Sequence, residues 1–260
     1  MSMTIKPPKN WMHRTDTPTR ASIPRRIVSQ RTVAAGSFFL LFVQAIVGTL
    51  ISYLPLYFQA VQGTDARGSA VANLPFLITL LFAPMASGIL ISFYGPYVPY
   101  MWIGAVLATI GSGLLLSLGT NSSHGAVDAY QFVAGLGLGL CNQIPFNAVQ
   151  HKLPKEKLVL GSTVVSFYNS LGPFLGINIA QTIFASFLTR ALDSKPQIDT
   201  ATIIRAGPTS IGRTVPSELQ TLVGDAYNYA LTRAFVPSFI CGGLAFCCSL
   251  AMEWGNVRKK

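Results

Sequence analysis

Residues 134–150 read AGLGLGLCNQIPFNAVQ: Gly135, Gly137 and Gly139 at spacing two, then Asn142, Gln143, Pro145, Asn147 and Gln150. A phosphate-cradling loop needs its glycines in a turn between a strand and a helix, in water. Here no charged residue occurs from Ala129 to Gln150, and crossing a bilayer core takes about 20 apolar residues. The glycines therefore lie inside a membrane-spanning helix, and the stretch is not a nucleotide site. At roughly 100° per residue, Gly135, Gly139, Gln143, Asn147 and Gln150 fall within about 120° of one another, with Pro145 on the other side. Small residues let helices approach closely, and amides cannot face hydrocarbon cheaply, so the stripe faces partner helices or a wet cavity. Pro145 removes a backbone hydrogen bond, which predicts a kink near Asn142.

Working outward, the same charge-free character recurs from Thr32 to Val61, Gly68 to Ser117, Leu158 to Thr189 and Ala234 to Met252. Only 11% of the 260 residues are charged and 50% are apolar, against roughly a quarter charged in soluble domains. Six spans follow, near 32–58, 68–93, 98–119, 129–150, 160–188 and 234–253. The expected class is all-α, a polytopic membrane protein of six transmembrane helices.

The net charge of +10 would suit nucleic acid, but its placement argues for topology instead. With the N-terminus cytoplasmic, thirteen of the nineteen lysines and arginines fall on the inner side: seven from Lys6 to Arg31, then Lys152, Lys155 and Lys157, then Arg258, Lys259 and Lys260. The other six lie outside, mostly in one long loop, where the positive-inside rule counts least. Both termini are expected in the cytoplasm, with no nucleic-acid partner. Arg25, Arg26 and Arg31, just before the first span, can also meet anionic membrane lipid.

The expected organisation is a polar tail over 1–31, a six-span unit over 32–254 and a basic tail over 255–260. Within the unit, a long extracytoplasmic loop at about 190–229 carries a lead-in helix on the membrane surface, with Ser217 as its N-cap and Leu219, Leu222, Val223, Ala226 and Ala230 as its apolar stripe. The first span ends FQAVQ at 58–62 and the fourth FNAVQ at 146–150. Such an echo suits three spans repeated in inverted orientation.

Polar stripes recur in other spans. Gln44, Gly48, Ser52, Pro55 and Gln59 share a face of the first; Ser162, Ser166, Asn169, Pro173, Gly176 and Ala180 share one of the fifth. The three stripes can converge on a common cavity, although interhelical hydrogen bonding alone would account for any single amide. The candidate cavity residues are Gln44, Gln143, Asn147 and Asn169, with Tyr53 and Tyr57 towards the outer end. Gly135, Gly139, Pro55, Pro145 and Pro173 are assigned to packing and kinks, and Asn121 to N-glycosylation in the sequon Asn121-Ser122-Ser123. Cys141, Cys241, Cys247 and Cys248 fall inside spans without metal-ligand spacing, and His13, His124 and His151 are scattered, so no metal and no cofactor is expected. An integral membrane enzyme would cluster His, Asp or Ser–His partners near one membrane face, and the sequence does not. All nine acidic residues fall in tails, loops or span ends, so the spans lack the intramembrane carboxylate that a proton-coupled pump usually holds.

RRIVSQRTVAAG, YLPLYFQAVQGTDARGSAVANLPF, YVPYMWIGAVLATIGSGLL and GLGLGLCNQIPFNAVQ resemble the C-terminal half of fungal major facilitator proteins, in the fourteen-span drug:proton antiporter branch of toxin and secondary-metabolite efflux pumps. The likeness runs from residue 24 to about 254. It implies one half-bundle of a 3+3 inverted repeat and efflux of small apolar organic compounds. The family's loop signature and its antiporter motif belong to the N-terminal half; at Gly88–Pro99 only the glycines of a degenerate second copy remain, and the fifth span reads LGPFLG. The resemblance thus implies a chain truncated to its C-terminal half. Its partner would be a missing N-terminal half or a second copy, and its location the plasma membrane in preference to the vacuolar membrane. The alternative is a non-transporting remnant or an interaction subunit.

Overall fold

The computed structural model describes residues 30–120, 122–193 and 217–254. The sequon at Asn121, most of the polar tail, most of the long loop and the basic tail therefore lie outside the described residues. The helices are α1 (Arg31–Ala60), α2 (Ala66–Ala72), α3 (Leu74–Tyr94), α4 (Val98–Leu115), α5 (His124–Asn142), α6 (Ile144–Lys152), α7 (Lys155–Asp193) and α8 (Ser217–Leu250). They provide six helical stretches long and apolar enough to cross a membrane.

Proline and small polar caps set the breaks. Asp65 caps α2 by accepting from the Gly68 amide at 2.7 Å. Asn73 and Pro75 then restart the chain as α3, so the expected second span is a short helix followed by a long one. Gly95 ends α3 at φ 96°, where an L side chain would be strained. The fourth span divides at Gln143 into α5 and α6, with Pro145 in the first turn of α6. The kink expected near Asn142 is thus a full interruption, because the proline ring cannot continue the preceding ladder.

The lead-in helix expected on the membrane surface is instead continuous with the sixth span, as one helix of 34 residues. Its stripe has a partner: Val223, Ala226, Tyr227 and Ala230 bury against Leu188, Leu192 and Ala60. α7 has 39 residues, a length of about 58 Å, and α8 about 51 Å, against a core of about 30 Å. Both are longer than a bilayer core requires, and their adjoining ends form a packed pair.

Neighbour relations follow the inverted repeat. α1 packs on α7 as α5 packs on α3; α4 packs on α5 as α8 packs on α1; and α4 and α8 meet each other across the axis. Exchanging the first three spans for the last three preserves each of these pairs. A small-residue device is repeated with them. A Cβ on Gly48 of α1 would come within 2.7 Å of Pro173 of α7, and one on Gly139 of α5 within 3.1 Å of Pro84 of α3. The FQAVQ segment spans the end of α1 and the FNAVQ segment lies in α6, each near the end of its span.

The three spaced glycines serve two partners. Residues two apart on a helix point about 200° apart. Gly135 and Gly139 meet Phe76, Thr79 and Ala83 of α3, whereas Gly137 meets Gly104, Leu107 and Ala108 of α4. α5 is thereby wedged between two helices at backbone contact. The core around it is apolar, with Phe76, Met101, Leu138, Tyr57, Tyr97 and Phe235 buried.

Candidate functional site

α7 carries a polar line along one partly exposed face. Asn169, Ser166 and Ser162 recur at intervals of three and four, which places them on one face of a helix. At the upper end of the line, Gln44 of α1 donates from Nε2 to the Asn169 Oδ1 at 2.6 Å, and the Gln44 Oε1 is buried without a hydrogen-bond partner. At the lower end, Gln150, Leu158, Val159, Ser162, Thr163 and Ser166 line an open groove of about 570 Å³ between α6 and α7. Aromatic rings flank the line: Phe38 meets Tyr168 edge-on at 5.3 Å, and Tyr168 meets Phe167 at 5.6 Å. The α7 stretch from Leu158 to Thr189 brings no charge to this wall. Chemically it can offer amide and hydroxyl hydrogen bonds and ring faces, and no ion pair.

The structure therefore brings together the stripes of the first and fifth spans, but as a zipper. Gln44 meets Asn169, Gly48 meets Pro173, and Gly176 meets Ala45. The fourth-span stripe divides: Gly135 and Gly139 serve packing, while Gln143 and Gln150 are exposed and Asn147 is half-buried beyond the break. Pro55 sits inside an uninterrupted α1. Tyr53 and Tyr57 are not wall residues. Tyr57 is fully buried and its hydroxyl donates to the Gly119 carbonyl at 2.8 Å. Tyr53 is buried and packs its ring at 5.7 Å from Phe184. Their placement follows from the rings: each buries more apolar area in the core than its one hydroxyl costs, once that hydroxyl is bonded or at the edge.

Sequence reading overlooked a cavity where α2 meets the start of α5. Asp65, Arg67, His124 and Asp128, together with Thr64, Val71 and Pro75, line a cavity of about 580 Å³. Beside it the fully buried Gln131 donates from Nε2 to the Ala72 carbonyl at 3.1 Å. The spacing of His124 and Asp128 was a readable signal, but their convergence with Asp65 depends on α2, which the unbroken second span did not anticipate. Among the described residues, no group of three or more His, Cys, Asp or Glu is arranged to hold a metal ion. Cys141 is buried and donates to the Gly137 carbonyl at 3.1 Å.

Comparison with known proteins gives a consistent picture. The model of the Major Facilitator Superfamily matches residues 3–177. The chain is 32% identical to the MFS-type efflux pump MFS1 of Arthroderma benhamiae over 241 residues, which are 92% of this chain and 45% of that protein. It is 35% identical to the aspyridones efflux protein of Neocamarosporium betae, across 92% of this chain and 43% of that one. The chain thus spans less than half the length of these relatives. In structure it is similar to a bacterial homologue of the human lysosomal transporter Spinster, in its inward-facing and occupied conformation, with a TM-score of 0.69 and 14% identity over 87% of this chain and 50% of that one.

Proposed function

Because the chain belongs to the Major Facilitator Superfamily, we propose that its six-helix bundle is the C-terminal wall of an efflux pump for small, largely apolar organic compounds of the toxin or secondary-metabolite kind. The observation that carries this reading is the uncharged polar line of Asn169, Ser166, Ser162 and Gln150, edged by aromatic rings and open at the α6–α7 groove. A neutral substrate slides against rings and exchanges hydrogen bonds with hydroxyls and amides at little net cost, whereas a charged wall would hold or repel it. Relatives named as efflux pumps support the same direction of transport.

In this reading the bundle moves as one body. Backbone-close contacts at Gly48, Gly137 and Gly139 leave little room for the helices to slide within it. Alternating access then comes from rocking against a second bundle around a midplane site, whichever polypeptide supplies that bundle. Gln143 and Asn147, at the α5–α6 break, are proposed as the wall's contribution near the inner mouth, and the proton relay is assigned to the opposing bundle. Both ends of the chain are proposed to lie on the cytoplasmic side, which the distribution of Lys and Arg supports, and the membrane is proposed to be the plasma membrane.

A second reading, a membrane subunit that packs without transporting, is favoured by one observation: Gln44 and Asn169 bond each other and need no substrate. The test is a graft. The chain replaces the matching half of the Arthroderma benhamiae pump, and accumulation of a lipophilic dye is measured in pump-deficient cells. Energy-dependent export that is lost in Ser166→Leu and Asn169→Leu, at equal surface expression, supports the proposal. A graft that reaches the membrane and exports nothing favours the packing subunit.

A further inference from the structure

At the end of the bundle where α1 begins and α8 finishes, the segment after α8 crosses the neighbouring helix ends. The Arg31 Nε donates to the Ala251 carbonyl at 2.8 Å, and the Tyr97 hydroxyl donates to the Glu253 carbonyl at 2.8 Å. The Trp102 Nε1 donates to the Ser249 carbonyl at 3.3 Å. Lys152 Nζ lies 3.4 Å from a Glu253 carboxylate oxygen. Behind this strap is a cavity of about 160 Å³ whose walls include Gln30, Arg31, Val149, Lys152 and Glu253. The walls hold two cations from different helices and one carboxylate, so the described lining carries a net positive charge. The first turn of α1 adds to it, because no acidic side chain stands there and Gln30 does not cap it.

Two further observations say what kind of anion fits. Trp254 and Tyr94 are 62% and 69% exposed at this end, and Trp102 meets Trp254 edge-on at 5.5 Å. Indole and phenol rings at the rim of a bundle mark the depth of the lipid headgroups. Arg31, Ala35 and Phe38 also share one face of α1, and Phe38 is exposed two turns deeper than Arg31. That face offers an apolar track leading away from the cavity along α1, which a free anion would not use.

We propose that this cavity binds the phosphate headgroup of an anionic phospholipid between Arg31 and Lys152, with an acyl chain laid along the Phe38 face of α1. Bound lipid would tie α1, α6 and the strap together at the cytoplasmic surface, where anionic lipids are enriched.

The test counts lipids retained by the purified full chain in neutral detergent, by native mass spectrometry, after incubation with phosphatidylserine, phosphatidylcholine or inorganic phosphate. Phosphatidylserine should be retained in preference to phosphatidylcholine. R31Q and K152Q should each lower its occupancy about fivefold, the expected effect of one basic residue near a membrane surface. E253Q breaks the same ion pair as K152Q but makes the cavity more positive, so it should raise occupancy. If E253Q and K152Q change binding in the same direction, the residues act through folding and the proposal fails. It fails equally if the two lipids bind alike, or if inorganic phosphate displaces phosphatidylserine at equal concentration.

Discussion

Replacing Gly137 by alanine tests the packing on which a rigid wall depends. The new Cβ would lie 2.7 Å from the Leu107 carbonyl carbon and 2.8 Å from the Gly104 oxygen, and closer still to the Ala108 nitrogen. All three are backbone atoms, so no side chain can rotate aside and α4 and α5 must part. Overpacking of this kind costs about 1–3 kcal/mol, and backbone on every side puts it at the upper end. Against this, alanine is favoured over glycine in a helix by up to about 1 kcal/mol. The net loss is about 1–2 kcal/mol, an apparent midpoint lowered by about 2–8 °C for a chain of this size. The assay is thermal unfolding in detergent followed by size-exclusion chromatography, with Gly88→Ala as the control, since nothing lies within 4 Å of a Cβ there. The control should hold its midpoint or gain. A Gly137→Ala midpoint within about 1 °C of the parent would refute the claim that backbone contact fixes these helices.

Adjacent glycines in α8 make a second pair: Gly242→Ala places a Cβ 2.6 Å from the Thr109 Oγ1, whereas Gly243→Ala meets nothing within 4 Å, so only the first should lower the unfolding midpoint. Tyr57→Phe removes a hydrogen bond to the Gly119 carbonyl and should cost about 1 kcal/mol, read as a small drop in the same midpoint. In a double-mutant cycle, Gln44→Leu and Asn169→Leu should couple by about 0.6–1.7 kcal/mol, as interhelical polar pairs in membranes do; additive losses would mean that the 2.6 Å bond contributes nothing. If the termini are cytoplasmic, the sequon at Asn121 faces outward, and endoglycosidase treatment should shift the gel mobility of the wild type but not of Asn121→Gln.

Span number and order were legible because charge in this chain is confined to tails, turns, one long loop and span ends, and hydrocarbon imposes that pattern on any helical membrane protein. The break at Gln143 was legible as a kink because Pro145 has one steric consequence whatever surrounds it. Three features were not. The division of the second span at Asn73 depends on Asp65 capping a seven-residue helix, a contact that periodicity does not register. The continuity of the lead-in helix with α8 was hidden because an apolar stripe at Val223, Ala226 and Ala230 suits a lipid surface as well as a neighbouring helix; α7 decided it. Tyr53 and Tyr57 were read as cavity residues from chemistry alone, whereas ring burial and the Gly119 carbonyl hold Tyr57 in the core. Of the candidate site, the Gln44–Asn169 meeting follows from matched stripes. The α6–α7 groove required knowing that only two residues, Leu153 and Pro154, separate those helices.

The central claim is that this bundle is one wall of a two-bundle pump, and the isolated chain tests it most directly. The measurement is steady-state accumulation of a lipophilic dye, with and without an uncoupler, in pump-deficient cells expressing the 260-residue chain at a level verified in the membrane fraction. The account predicts insertion without any lowering of accumulation, because a single wall cannot close around a substrate and the carboxylates of this chain fall in tails, loops or the outer turns of its spans. Uncoupler-sensitive export by the chain alone would contradict it.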